Sequence, residues 1–162
     1  MSLAVYLQID TIKGECTDQD HKDWIELFSY SHGLSNQISG SVSAAGAKAA
    51  GKADHQPFQF TKRMDKASTP IYKQLCEGKH FDKAVVEVCR ATGKHEWIMK
   101  YTFEKVVMAH TGVGCSQGQE ILMEDMSFQY SKIKWEYRPF DDKGGPGGVV
   151  PTEWDLSTNR GA

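Results

Sequence analysis

At 162 residues the chain is long enough for one domain with its own core and too short for two. A charged fraction of 25%, an apolar fraction of 40% and a formal net charge of -2 are ordinary for a globular protein and leave no electrostatic footprint for nucleic acid or an anionic membrane. No run is long and apolar enough to span a bilayer, so neither nucleic-acid binding nor membrane insertion is expected.

Leu3 to Asp10 puts Leu3, Val5, Leu7 and Ile9 on one face of a strand. The same stretch lacks the basic n-region of a signal peptide, which implies synthesis in the cytoplasm and, if the protein is exported, export without a cleaved signal. Lys13 to Asp23 is polar and reads as a loop. A second strand, Trp24 to Leu34, has mixed faces. Ile25 and Leu27 share a parity with Ser29 and Ser31, so one side starts apolar and ends serine-bearing, as a strand passing from a core to a polar surface would.

Residues 35–56 are dominated by Ser, Ala and Gly and read as an extended loop that becomes ordered only against a partner. A turn of helix over Ala44 to Ala53 is opposed by the glycines in and around it. Phe58 to Asp65 is a third strand with Phe58 and Phe60 inward. A short helix follows, with Ser68 or Thr69 as N-cap, Pro70 at its first position, Ile71 and Leu75 as an i,i+4 apolar pair, and Gly78 as its stop.

Phe81 to Ala91 alternates with Ala84, Val86 and Val88 on one side, and Thr92-Gly93-Lys94 turns it back. Trp97, Met99, Tyr101 and Phe103 line one face of the next strand, after which Val106 and Met108 take the opposite parity. Residues 112–118 read as a turn-rich loop. Gln119 to Pro139 shows the same change of face: Leu122, Met126, Phe128 and Tyr130 give way to Ile133, Trp135 and Tyr137, which requires a bulge or bend near Ser131 and Lys132. Residues 141–151 are rich in Gly and Pro, and Glu153 to Leu156 reads as a short docked strand anchored by Trp154. Two neighbouring long strands that both change face predict a mainly β, single-domain barrel of two bent antiparallel sheets, covering residues 1–162, with one short flanking α-helix.

Chemistry is sparse along the chain. The six histidines, His21, His32, His55, His80, His95 and His110, have no metal-ligand spacing and read as scattered surface or partly buried imidazoles. Cys16, Cys76, Cys89 and Cys115 contain no Cys-x-x-Cys pair and read as free thiols. Glu120, Glu124 and Asp125 are candidates for a carboxylate pair in glycoside hydrolysis. Gly112-Val113-Gly114 lacks a phosphate-loop continuation. Ser31 and His32 are adjacent on a strand and point to opposite faces, so they form no nucleophile and base pair. The aromatic residues Trp97, Tyr101, Phe128, Tyr130, Trp135 and Tyr137 have strand spacing and read as core and interface more readily than as a stacking platform.

The ordered features resemble the haemolysin-coregulated protein (Hcp) family of type VI secretion systems. The similarity runs through Ile9-Asp10, Ile12-Lys13-Gly14-Glu15, His21, Ile25, Tyr30-Ser31-His32-Gly33, Phe58-Gln59-Phe60-Thr61-Lys62, Asp65, Ser68-Thr69-Pro70, Gly78-Lys79-His80, Ser127-Phe128, Lys134-Trp135-Glu136-Tyr137, Trp154-Asp155 and Asn159. The resemblance implies a non-enzymatic tube subunit without cofactor or metal, forming hexameric rings that stack and carry small secreted effectors. Its implied partners are the spike protein (VgrG) and sheath and baseplate components. It places Ser29 and Ser31 on the lumen wall. It also implies that the loop containing Ser43, Ala44, Ala45, Gly46, Ala47, Lys48, Ala49, Ala50, Gly51 and Lys52 contacts a neighbouring subunit. A monomeric ligand-binding or carbohydrate-active barrel and a phage-type tail tube protein are the alternatives.

Overall fold

In the computed structural model, which describes residues 2–39, 49–91, 96–140 and 147–161, the N-terminal alternation forms strand β1 (Leu3–Ile9) with Leu7 and Ile9 buried. It is followed by β2 (Ile25–Ser31), β3 (Leu34–Ser39), β4 (Ala49–His55), β5 (Phe58–Arg63), helix α1 (Ser68–Glu77), β6 (His80–Arg90), β7 (Trp97–Gly114), β8 (Met123–Gln129), β9 (Lys132–Tyr137), β10 (Val150–Asp155) and β11 (Arg160–Gly161). The main sheet runs β11-β10-β9-β7-β6-β1-β2-β5-β8, and β8 pairs back onto β7. Strands β7, β6, β1, β2, β5 and β8 therefore close a barrel, and β9, β10 and β11 continue outward from β7. Closure leaves those six strands without a free edge. The expected mainly β barrel with one short helix is the fold adopted, built from one continuous wrapped sheet.

The barrel is filled by the inward face of every strand. Phe58, Phe103 and Phe128 are fully buried and meet at its centre, with ring centroids 5.2 Å apart for Phe58 and Phe128 and 5.0 Å for Phe103 and Phe128. Ile71 of α1 closes one end of the same core.

Both face changes expected from parity occur, and they occur opposite each other. On β7, Phe103 and Val106 are both buried, and Lys105 between them takes a left-handed φ of 52°. Across from it, β8 ends at Gln129, paired with Val107, and β9 resumes at Lys132, paired with Glu104. The expected single bent strand is thus two strands joined through Tyr130 and Ser131, whose N–H still bonds Glu104 O at 3.0 Å. A third irregularity lies in β2. The register with β5 shifts between Leu27 and Ser29, so Phe28 is extruded with 59% of its surface exposed, and the strand's later serines turn outward.

Four local expectations need correction. Residues 35–56 are not a structureless loop, because β3 and β4 form an antiparallel ribbon from Leu34↔His55 to Ser39↔Ala49. Ala and Gly disfavour strands through missing side-chain packing, but a ribbon held by backbone pairing and fixed at its root needs little of it. Strand β7 extends to Gly114, inside the expected 112–118 loop, and β8 begins only at Met123, leaving Leu122 outside the core. Helix α1 begins at Ser68 with Ala67 at the N-cap and no side-chain cap, because the Ser68 hydroxyl is drawn into a buried ionic network. Strand β10 begins at Val150 and takes in Pro151 of the Gly/Pro-rich segment. That is permissible because β11 covers only Trp154 and Asp155 and leaves Pro151 unopposed on its second side.

The loop between β1 and β2 is not a solvated connection either. It folds over the outer face of β1 and β6, where Tyr6, Cys16 and Cys89 form a second buried cluster with Trp24 and Trp97. Gly14 permits this approach, since a Cβ there would sit 2.3 Å from Trp24 O.

Candidate functional site

Outside the barrel core, β2, β5, β8 and the end of β7 present a wall of small polar groups. Cross-strand register aligns them in two rows: Ser31, Gln59, Ser127 and His110, then Ser29, Thr61, Asp125 and Gly112. Ser29 and Ser31, which the resemblance places on the lumen wall, are exposed on the outer face of the barrel. The inward residues of the same strands are Phe58, Phe60, Met126 and Phe128, so one sheet has a dry face and a wet one. The wet face holds a shallow depression of about 460 Å³. Ser29 Oγ bonds Thr61 Oγ1 at 2.6 Å, and His110 Nε2 lies 2.8 Å from Asp125 Oδ2. Gly112 makes room for that pair, since a Cβ there would sit 2.9 Å from Asp125 Oδ1. This face presents hydroxyls, one amide and a hydrogen-bonded histidine–carboxylate pair.

The β3–β4 ribbon stands beside this wall. Of the residues expected to contact a neighbour, Ala49, Ala50, Gly51 and Lys52 belong to β4, whereas 43–48 lie outside the described residues. Leu34 and Ile38 on β3 are exposed. The ribbon's root is polar and anchored: Gln56 N–H donates to Gly33 O at 3.0 Å, and the Tyr130 hydroxyl lies 2.6 Å from His32 Nε2 and 2.8 Å from His55 Nδ1. One hydroxyl can donate to one imidazole while accepting from the other. Burial lowers the pKa of His32, with His55 beside it adding to the effect. Burial likewise lowers that of His55, against the Asp54 charge. Burial also keeps the Tyr130 hydroxyl protonated.

The acids do not form a catalytic pair. Glu124 points inward and binds Lys62 Nζ at 2.8 Å, Asp125 points out to His110, and Glu120 is exposed on the preceding loop. Lys62 is fully buried and also meets Asp65 Oδ1 at 2.9 Å and Ser68 Oγ at 2.8 Å. Ser68 and Tyr72 donate to the two oxygens of Glu124, which ties α1 to β5 and β8.

His21, expected among scattered imidazoles, is 2% exposed and stacks on Tyr6 with centroids 4.1 Å apart. Its Nδ1 is 2.7 Å from Asp18 Oδ2 and its Nε2 2.6 Å from Glu87 Oε2. Burial opposes its charge, but the hydrogen bonds to Cys89, Glu87 and Asp18 prevail and raise its pKa to about 10. Residues 66 positions apart meet here, which no local spacing discloses.

The family described as type VI secretion system effector, Hcp, matches residues 6–137. Protein hcp1 of Pseudomonas aeruginosa is 28% identical over 163 residues, covering 98% of each chain. A solved structure described as a type six secretion system protein is 30% identical, covers 99% of this chain and 100% of its own, and superposes with a TM-score of 0.93. Hcp1 of Salmonella typhimurium, at 24% identity, 99% and 100% coverage and a TM-score of 0.78, shares the fold.

Proposed function

The chain belongs to the Hcp family of type VI secretion systems and is a tube subunit of that machinery; on that premise we propose that it works as a hexameric ring whose polar wall lines the lumen. The observation that carries this reading is the two-faced sheet, with Phe58, Phe60, Met126 and Phe128 inside and the two rows of small polar residues outside. A wall without large apolar patches holds cargo loosely enough to release it. The exposed Phe28, Leu34 and Ile38 lie off that wall, on the β2 bulge and the ribbon, and serve as subunit contacts. Head-to-tail contacts of this kind close into a ring in the plane and leave an open stack along the axis. The β3–β4 ribbon reaches the neighbouring subunit or ring.

Assembly takes place in the cytoplasm, and export through the secretion machinery needs no cleaved signal. Small secreted effectors occupy the lumen, and the spike protein, sheath and baseplate are the partners outside it. Light scattering after size exclusion, with negative-stain microscopy, tests the reading: six-fold rings are expected, and a monomer at high protein concentration with no rings in the images would sink it.

A further inference from the structure

The geometry points to a site for a thiophilic divalent transition-metal ion, zinc(II) foremost, held by His21 Nε2, a Glu87 carboxylate oxygen and Cys89 Sγ on the outer face of β6. These ligand atoms lie within 4.8 Å of one another. Tetrahedral bonds of about 2.0 to 2.3 Å need ligand atoms about 3.3 to 3.8 Å apart. An ion would therefore open the 2.6 Å contact between His21 Nε2 and Glu87 Oε2 by side-chain rotation while keeping the spacing of Nε2 to the sulfur. Glu87 and Cys89 are two apart on β6 and so project from the same face. His21 descends onto them from the loop between β1 and β2, its Nε2 3.7 Å from Cys89 Sγ.

The surroundings are those a bound ion requires. Asp18 Oδ2, 2.7 Å from His21 Nδ1, fixes the ring and leaves Nε2 for the ion, the carboxylate–histidine arrangement that orients metal-binding imidazoles. Lys100 Nζ sits 3.3 Å from Glu87 Oε1, so Oε2 is the oxygen turned to the site. Tyr6 and Trp24 flank the imidazole on its face and at its edge and keep bulk water away. Three protein ligands leave a fourth, tetrahedral position for one water.

In the ion-free protein both ring nitrogens of His21 lie at hydrogen-bond distance from carboxylate oxygens, so a proton occupies the Nε2–Glu87 Oε2 contact that the ion would replace. The exchange balances without any redox step: one divalent ion and its water enter, and two protons leave, one from His21 Nε2 and one from the Cys89 thiol. Bound metal would fasten the β1–β2 loop to β6, far along the chain from it. Nothing in the tube reading uses these residues, since the site lies away from the polar wall.

The test uses the full chain without an affinity tag, with the two exposed cysteines changed (Cys76→Ser, Cys115→Ser) so that only Cys16 and Cys89 remain. Metal-stripped protein is titrated calorimetrically with zinc chloride in two buffers of different ionisation enthalpy, and with cobalt(II) chloride followed by absorbance. One ion per chain is expected, with release of about two protons at neutral pH and a near-ultraviolet thiolate-to-cobalt band that zinc erases. The band persists in Cys16→Ser and disappears in Cys89→Ser. No thiolate band in the parent protein overturns the assignment, as does a band that Cys16→Ser abolishes or one that Cys89→Ser leaves intact. Should Cys89→Ser fail to fold, the parent and Cys16→Ser spectra still decide.

Discussion

Lys62 carries its ammonium group into a site without solvent contact, where Glu124, Asp65 and Ser68 surround it. Breaking a buried pair costs roughly 3 to 5 kcal/mol. Without Glu124, Lys62 keeps Asp65 as its one carboxylate and the Ser68 and Tyr72 hydroxyls lose their acceptor, which places the cost toward the lower end of that range. Glu124→Leu is therefore expected to lower unfolding stability by about that amount, and adding Lys62→Met in the same chain is expected to recover much of it. Urea denaturation of the singles and the double measures this; a double variant as unstable as the sum of the singles contradicts the pairing. His32 and His55 have the opposite chemistry, being held neutral. Their folded pKa values lie below the ordinary value of about 6.5, so acid protonates them more readily in the detached or unfolded state. The ribbon's attachment is consequently complete above about pH 6.5 and weakens as the pH falls below it. Amide protection factors for residues 34–39 and 50–55 are expected to fall between pH 7.5 and pH 5 while those of the barrel strands hold; equal protection at both pH values refutes it.

At the scale of the element, the ribbon is separable from the barrel because β3 and β4 form their own two-stranded sheet. Replacing residues 35–54 with a short turn is expected to leave the circular dichroism of the barrel close to native and to reduce assembly in light scattering. Unchanged assembly would remove the ribbon from the interface. The same element marks a limit of what the sequence discloses. The barrel strands were legible because alternation such as Leu3-Val5-Leu7-Ile9 records which face is buried, and the reversals after Phe103 and Tyr130 recorded the corner. The ribbon buries almost nothing, so its Ser, Ala and Gly record no face. The start of α1 was misplaced for another reason: Ser68 has the composition of an N-cap, but Lys62 and Glu124 claim its hydroxyl from β5 and β8. Parity alone would keep Ser29 and Ser31 on the side of Ile25 and Leu27; the register shift between Leu27 and Ser29 turns them outward, and their cross-strand neighbours Gln59, Ser127 and His110 are likewise defined only by register. The cluster at His21 was illegible because its members lie 66 and 68 positions apart.

For the whole molecule, the proposed ring makes one face of the sheet a lumen surface, and that face can be altered without touching the core. Ser31→Arg is expected to preserve the melting temperature and the ring diameter in negative stain, while reducing retention of co-expressed effector several-fold. Rings that dissociate instead would place Ser31 at a joint between subunits.

The ribbon has one further consequence. Side chains such as Lys, Gln and Met lose up to about 2 kcal/mol of rotamer freedom each when immobilised, whereas Ala and Gly have almost none to lose. Ala49, Ala50, Gly51 and Ala53 make up most of the described length of β4. In the proposed ring, docking such a segment would cost little side-chain entropy, and its contacts would be made chiefly by peptide groups. Recognition of this kind tolerates exchange among small residues along β4 but not proline, which removes the donor that the pairing uses.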